Sequence, residues 1–175
     1  MKELIEIRIH GRGGQGVKKS AMLLGRAASI QGFQSQDFAI YGAEREGAPV
    51  VSFVRISKKP IRVVGYIEEP EYVIVLDESI GLKKPLEGVK KHTKVLINSN
   101  KKINKKNFYS VDATEIAMEI IGRPIANIAL LGAFTKIFPT ISFDSFKKAV
   151  EIEMRKHANI VEKNIAAARK CRELL

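Results

Sequence analysis

The N-terminal part of the chain changes from a two-residue to a helical hydrophobic period. Over Leu4–Ile9, isoleucines alternate with other residues, which predicts a β-strand that enters a glycine-rich turn at Gly11. Over Val17–Ile30, apolar residues recur at steps of three and four, and Gly32 supplies a helix stop. The pattern therefore predicts a β-turn-α unit.

The middle of the chain has the pattern of strands. Phe33–Ile40 predicts a short extended segment, and Val50–Ile56 with Ile61–Val64 look like the two strands of a hairpin. Tyr72–Leu76 is a continuous apolar run, as expected for a strand that is buried on both faces and lies centrally. A hairpin beside a buried strand predicts a mixed sheet.

The rest of the chain alternates strands with helices. Its predicted elements are a short helix around Ile80–Gly88, strands at Lys94–Asn98 and Phe108–Val111, helices at Glu115–Ile121 and Ile128–Ile137, and one long amphipathic helix after Ser142. Asp112 or Thr114 can cap the first of the two middle helices, and Asn127 can cap the second. The prediction is a three-layer α/β/α, Rossmann-like fold with helices on both sides of a mixed sheet.

Size and cysteine content limit the class of protein. The chain has 175 residues, of which 45% are hydrophobic, so we expect one domain spanning residues 1–175. Its single cysteine, Cys171, provides neither a disulfide framework nor a ligand set for zinc or an iron–sulfur cluster. The start lacks the apolar core of a signal peptide, and the longest apolar stretch, Ile125–Phe134, is too short for a bilayer. We expect a soluble, cytoplasmic protein without a membrane role.

The positive charge of the chain is concentrated in one segment. Lysine and arginine total 30 against 19 acids, a formal charge of +11. Between Lys83 and Lys106, nine lysines accompany a single acid, Glu87, and no aromatic residue occurs before Phe108. Nucleic-acid modules combine such charge with stacking aromatics or a recognition helix, so a solvated flank around a strand is favoured. An acidic protein is a better partner for this segment than nucleic acid.

The strongest local motif is the glycine loop, which we define as Gly11–Gly16. Its sequence fits Gly-x-Gly-x-x-Gly between a strand and a helix, a pattern that allows a pyrophosphate to approach the helix N-terminus, and Asp37 follows where a ribose-binding acid could lie. Alternatively, the glycines serve only the close packing of strand and helix. A triphosphate site is disfavoured, because Val17 follows Gly16 in place of the usual lysine.

No acid–base constellation accompanies the glycine loop. The three histidines, His10, His92 and His157, are scattered along the chain, and no Gly-x-Ser-x-Gly elbow occurs. His10 ends the first strand, where a structural hydrogen bond is favoured over catalysis. The sequence therefore contains no visible catalytic centre.

Four ordered segments resemble the gamma subunit of 2-oxoacid:ferredoxin oxidoreductases. They are the glycine loop with Lys19-Ser20-Ala21, the loop Tyr41–Pro49, the segments Phe53–Ile56 and Pro60–Arg62, and Asn127–Ala133. The resemblance implies a chemistry shared among subunits, in which thiamine diphosphate binds the 2-oxoacid, iron–sulfur clusters carry electrons to ferredoxin and coenzyme A receives the acyl group. This chain resembles the subunit that holds none of these cofactors.

The resemblance also implies partners and contact residues. Thiamine diphosphate, Mg and the clusters are expected in the alpha, beta and ferredoxin-like delta subunits, so that ferredoxin is reached indirectly. The glycine loop is expected to contact coenzyme A or a neighbouring subunit through Gly11, Arg12, Gly13, Gly14, Gln15 and Gly16. Subunit contacts are expected at Tyr41, Gly42, Glu44, Arg45 and Asn127. The remaining alternative is a stand-alone nicotinamide- or flavin-binding oxidoreductase.

Overall fold

The computed structural model describes residues 3–40, 47–155 and 158–175. Its elements, in chain order, are β1 (Leu4–Arg12), α1 (Val17–Ile30), β2 (Gln34–Ile40), β3 (Pro49–Ser57), β4 (Tyr72–Val75), β5 (Lys94–Asn98), β6 (Phe108–Val111), α2 (Ala113–Ile121), α3 (Asn127–Ile137), α4 (Phe143–Glu153) and α5 (Ala158–Leu174). One turn of 3-10 helix, Glu78–Ile80, follows β4.

All six strands belong to one sheet of order β2-β3-β1-β4-β5-β6. β1, β4, β5 and β6 are parallel, whereas β3 is antiparallel to both β1 and β2. The α/β class and the mixed sheet are thereby confirmed. β4 is flanked by β1 and β5, and its apolar residues Val73, Ile74 and Val75 are buried, as expected for a central strand covered on both faces.

The two faces of the sheet have different covers, which we name the helix face and the loop face. On the helix face, Ile5, Ile7 and Ile9 of β1 share one apolar core with buried residues of all five helices. On the loop face, Val73 and Val95 lie under irregular chain that includes Leu82 and Leu86. We expected helices on both sides, and the second layer consists instead of segments around residues 58–71 and 78–92.

The predicted hairpin strand Ile61–Val64 is wrong. This segment is irregular because both hydrogen-bonding edges of β3 are already occupied, one by β1 and the other by β2. The predicted helix Ile80–Gly88 is wrong as well. Pro85 lies in the middle of it and lacks the N–H that a helix interior requires, so the segment forms successive turns.

The C-terminal amphipathic stripe is divided between two helices, so the prediction of one long helix is wrong. Ser142 begins α4 as predicted, because its hydroxyl accepts a hydrogen bond from the Ser145 N–H at 3.1 Å. α4 packs on α1, whereas α5 packs on α2 and α3. A Cβ atom at Gly132 of α3 would run into the Ala168 carbonyl, so only glycine allows α5 this approach. No helix in the described ranges has the length and apolar character needed to cross a membrane.

Candidate functional site

The glycine loop lies at the carboxyl edge of the parallel strands, the edge at which open α/β sheets bind ligands. It leaves β1 beside Asp77, which follows β4, and near Asn98, which ends β5. Gly16 has a φ of +79°, and a Cβ there would lie 2.6 Å from the amide nitrogen of Asn127. Only glycine fits this position, which brings the loop against the start of α3.

Arg12 and Gln15 organise the loop through their side chains. The Arg12 guanidinium lies 3.2 Å from the Asp77 carboxylate and donates to the Ser79 hydroxyl at 2.9 Å and the Gly47 carbonyl at 3.0 Å. Gln15 donates to Asp77 at 2.8 Å and accepts from the Arg12 N–H at 2.7 Å. Both side chains are thus engaged within the loop surroundings. Their predicted contact with an outside anion stays a prediction.

Asp77 is the negative centre of this network. Partial burial acts to raise its pKa, but hydrogen bonds from Ser79 and Gln15, together with the charge of Arg12, lower the pKa below its ordinary value. The carboxylate therefore stays ionised and holds Arg12 in place. Sequence reasoning missed Asp77, although an acid at the carboxyl end of a buried strand was a signal.

Two helix N-termini meet at this edge without side-chain caps. Gly16 and Ala126, which occupy the N-cap positions of α1 and α3, make no capping hydrogen bond, whereas Asp112 and Ser142 cap α2 and α4. A crevice of about 260 Å³ lies between the glycine loop and the start of α3. Its lining includes Gly14, Gln15, Asn98, Thr114 and Asn127. The first N–H groups of a helix have no partner within the helix, and its N-terminus is the positive end of the helix dipole, so the start of α3 makes this crevice suited to an anion.

Asn127 has a different place from the one predicted. It is the first residue of α3 rather than its cap, so the capping prediction is wrong. Its side chain is 4% exposed, lines the crevice, and has an amide oxygen without a hydrogen-bond partner among the described residues. Its predicted role in a subunit interface stays a prediction, as do those of Tyr41, Gly42, Glu44 and Arg45, which lie outside the described residues.

A second cavity, of about 710 Å³, lies on the loop face. Arg8 and His10 of β1 line it, although sequence reasoning gave them no site. Arg8 is buried and donates to the carbonyls of Ile67, Pro85 and Glu87. His10 is 9% exposed, and burial together with the charge of Arg8 lowers its pKa to about 4. The neutral imidazole thus forms part of a buried polar face rather than an acid–base centre at neutral pH.

The described residues provide no assembled metal site. No group of three or more His, Cys, Asp or Glu side chains is placed there to hold an ion. Cys171 is buried on α5, and burial first, with Asp112 second, raises its pKa to about 12. One buried thiol does not fit an iron–sulfur cluster, which takes four ligands.

Comparison with known proteins adds relatives of nearly the same length. The family model for pyruvate ferredoxin/flavodoxin oxidoreductase matches residues 6–174. Pyruvate synthase subunit PorC of Methanothermobacter marburgensis is 41% identical over 169 residues, which cover 95% of this chain and 94% of that protein. The pyruvate/ketoisovalerate oxidoreductases common subunit gamma of Pyrococcus furiosus is 41% identical over 180 residues, with 97% and 96% covered.

A solved structure has the same fold. The crystal structure of pyruvate oxidoreductase subunit PORC from Thermotoga maritima superimposes with a TM-score of 0.86 at 33% identity, covering 98% of this chain and 97% of that one. Family model, relatives and fold therefore agree along the chain. The chain belongs to the pyruvate ferredoxin/flavodoxin oxidoreductase family and corresponds, over nearly its whole length, to the subunit called gamma or PorC.

Proposed function

We propose that this chain is the gamma subunit of a complex that oxidatively decarboxylates a 2-oxoacid to acyl-CoA and passes the electrons to ferredoxin. The observation that carries this proposal is the agreement of full-length relatives named as subunits of pyruvate synthase and of pyruvate/ketoisovalerate oxidoreductases. Thiamine diphosphate, Mg and iron–sulfur clusters belong to the alpha, beta and delta subunits. This subunit supplies docking surfaces in the cytoplasm and reaches ferredoxin only through its partners.

The crevice beside the glycine loop is where this subunit meets coenzyme A. Coenzyme A carries phosphates, and the uncapped N-termini of α1 and α3 offer N–H groups at an edge where phosphates bind in α/β folds. The Arg12 guanidinium is held by Asp77 and Ser79, so its contribution is to shape the loop and add positive potential. The polar contacts are expected from the backbone and from Asn127.

The alternative of a stand-alone dinucleotide-binding oxidoreductase is not favoured by the position of Asp37. A ribose-binding acid must lie at the carboxyl edge, near the glycine loop. Asp37 instead lies in the middle of β2, with its carboxylate 3.1 Å from where a Cβ on Gly25 of α1 would be. It is therefore beside the middle of α1 and not at the loop.

Affinity purification of the tagged chain from its native cells tests the assembly. We expect subunits with thiamine and cluster sequence signatures to be recovered in fixed proportion, together with 2-oxoacid-dependent reduction of ferredoxin. Recovery of the chain alone under gentle, anaerobic conditions would contradict the proposal. Titration of the purified chain with NAD(H) and flavin tests the alternative, which micromolar binding would support.

The coenzyme A contact is tested at Ile125, an exposed residue at the rim of the crevice. Ile125→Glu places a negative charge there, and Ile125→Gln is the matched control of nearly the same shape. In the assembled enzyme, we expect the glutamate to raise the KM for coenzyme A about tenfold, because like charges repel, and the glutamine to change it less than about twofold. Equal KM values for the two variants would contradict the proposal that coenzyme A binds in this crevice.

A further inference from the structure

The strand β2 forms one edge of the sheet and has an open side. Within the described ranges it pairs only with β3, and none of its seven residues is fully buried. Alternate residues of a strand direct their N–H and C=O groups to opposite sides, so every second residue of β2 presents both groups away from β3. These groups form a row at the surface that pairs with no other strand in the described part of the chain.

The β2 edge carries one exposed charge, Asp37, but lacks the other features that keep sheet edges from pairing. Natural edges are protected by lysines, prolines, bulges or short length. The opposite edge follows this rule, since β6 has four residues and follows Lys105 and Lys106 after one intervening residue, with the Lys105 ammonium 4.1 Å from the centre of the Phe108 ring. β2 has seven residues, contains no lysine or proline, and pairs with β3 without a bulge.

Exposed apolar side chains lie beside this edge on the loop face. Phe38 of β2 stacks on Phe53 of β3 with ring centres 4.8 Å apart, and Tyr66 stacks on Phe53 at 5.9 Å. Tyr66 is 66% exposed and Val64 is 85% exposed. The apolar surface therefore continues from the strand onto segment 63–66, a combination typical of surfaces that become covered.

Arg55 fixes this segment in place. Its side chain, 1% exposed, donates to the Gly65 carbonyl at 2.9 Å and pairs with Glu6 at 2.8 Å. The same guanidinium lies over the Phe38 ring. Edge strand and apolar segment thus form one preorganised surface, which lowers the entropy cost of binding a partner.

We propose that the β2 edge accepts an extended strand from another subunit of the complex, which adds a seventh strand to the sheet and places its apolar side chains on Val64 and Tyr66. This inference rests on the proposed function, which supplies the partner subunits. The backbone groups of Gln34–Ile40 specify the occupant, because only an extended backbone pairs with all of them at once.

A second copy of the chain fits this edge less well than a different subunit. In a symmetric antiparallel pair that uses all seven residues of β2, the central residue Asp37 would lie opposite its own copy. Like charges directly opposite each other on neighbouring strands are destabilising. A different subunit has no such restriction, which favours a hetero-contact.

Hydrogen exchange measured by mass spectrometry on the isolated chain and on the assembled complex tests the proposal. We expect the amides of Gln34–Ile40 to exchange at least tenfold more slowly in the complex, with added protection over 63–66 and no change over Phe108–Val111. Equal exchange of β2 in the two samples would overturn the strand addition. Slow exchange already present in the isolated chain, with a dimer mass, would assign the edge to a second copy and overturn it too.

Proline variants of β2 provide a second, independent test of the strand addition. Gln36 and Ala39 point their N–H groups to opposite sides of β2, so one of Gln36→Pro and Ala39→Pro removes an outward donor and the other a bond to β3. The variant that keeps its bond to β3 will have the higher melting temperature, and it is the one that has lost the outward N–H. We expect this variant to join the complex at least tenfold less tightly. Wild-type assembly by that variant would overturn the proposal. Failure of the unmodified chain to join any complex would instead reject the proposed function, and the strand addition with it.

Discussion

On the helix face of the sheet, the buried residues of β1 are Ile5, Ile7 and Ile9, whereas on the loop face β1 and β3 bury Arg8, His10 and Arg55 together with Phe53. Apolar contacts on the helix face are non-directional and hold five helices. On the loop face, guanidinium groups hold irregular chain by directional bonds to its carbonyls. A cover fixed in this way keeps side chains such as Val64 at the surface, so the loop face is suited to docking.

The largest expected effect is on the helix face. Phe134 packs edge-to-face on Tyr72 with ring centres 5.5 Å apart and is fully buried. Phe134→Ala should lower the free energy of unfolding by about 3–5 kcal/mol, because it removes buried area and leaves a cavity. Urea unfolding of the purified chain measures this loss. Val64→Ala, an apolar truncation on the loop face, should change it by less than about 0.5 kcal/mol.

Arg55→Met tests whether directional bonds hold the loop face. It leaves the Glu6 carboxylate and the Gly65 carbonyl without their donor, so we expect a loss of about 3 kcal/mol. Amide exchange over 63–66 should also become faster, while α3 is unchanged. Arg55→Lys retains the charge near Glu6 without the planar fork and should recover less than half of the loss. If Arg55→Lys recovered all of the lost stability, the positive charge alone would be enough to hold the irregular segment on the loop face.

The pH dependence of stability distinguishes the faces through His10. Its folded pKa of about 4 lies below the ordinary histidine value of 6.5, so between these values the unfolded state binds more protons and stability falls as the pH falls. From pH 7.5 to pH 5, the wild type should lose about 2 kcal/mol more than His10→Gln. The exposed His92→Gln serves as a control. A parallel pH profile for wild type and His10→Gln would show that the imidazole is not held neutral by burial.

The smallest effects are expected at surface charges. Arg12→Ala should cost about 1 kcal/mol, since its bonds to Asp77 and Ser79 are partly exposed, but in the assembled enzyme it should raise the KM for coenzyme A or weaken assembly. Lys101→Ala should change neither stability nor kinetics, because Lys101 pairs only loosely with Glu78 at 3.8 Å. Unchanged assembly and kinetics in Arg12→Ala would leave the glycine loop as a packing turn.

The helix face was largely predictable from sequence, apart from the division of the C-terminal helix and the cap of α3, and the loop face was not. The helical period over Val17–Ile30 and the caps Asp112 and Ser142 are local signals, and the structure confirms all three. Alternating charges such as Arg8 have the same sequence pattern whether they meet water or buried carbonyls. The prediction of a strand at Ile61–Val64 was wrong because β1 and β2 already pair with the two edges of β3. Which strands are neighbours is a long-range property that the local sequence does not show.

The candidate site was predictable only in its backbone. The glycines of Gly11–Gly16 predicted a turn at a helix N-terminus, and the structure has one. The partners of that turn come from distant parts of the chain, since Asp77 and Asn127 reach it from other elements. The position of Asp77 after a buried strand was a signal that it lies at this edge, but no local pattern indicates which side chains it contacts. The missing helix caps at Gly16 and Ala126, which define the crevice, likewise become visible only in three dimensions.

The central claim is that this chain works as one subunit of a 2-oxoacid:ferredoxin oxidoreductase and carries no redox chemistry alone. Its most direct test is to reconstitute the complex with and without this chain and to measure coenzyme A-dependent reduction of ferredoxin by a 2-oxoacid. We predict activity only with the chain present, and none from the chain alone. Full activity in its absence would contradict the claim.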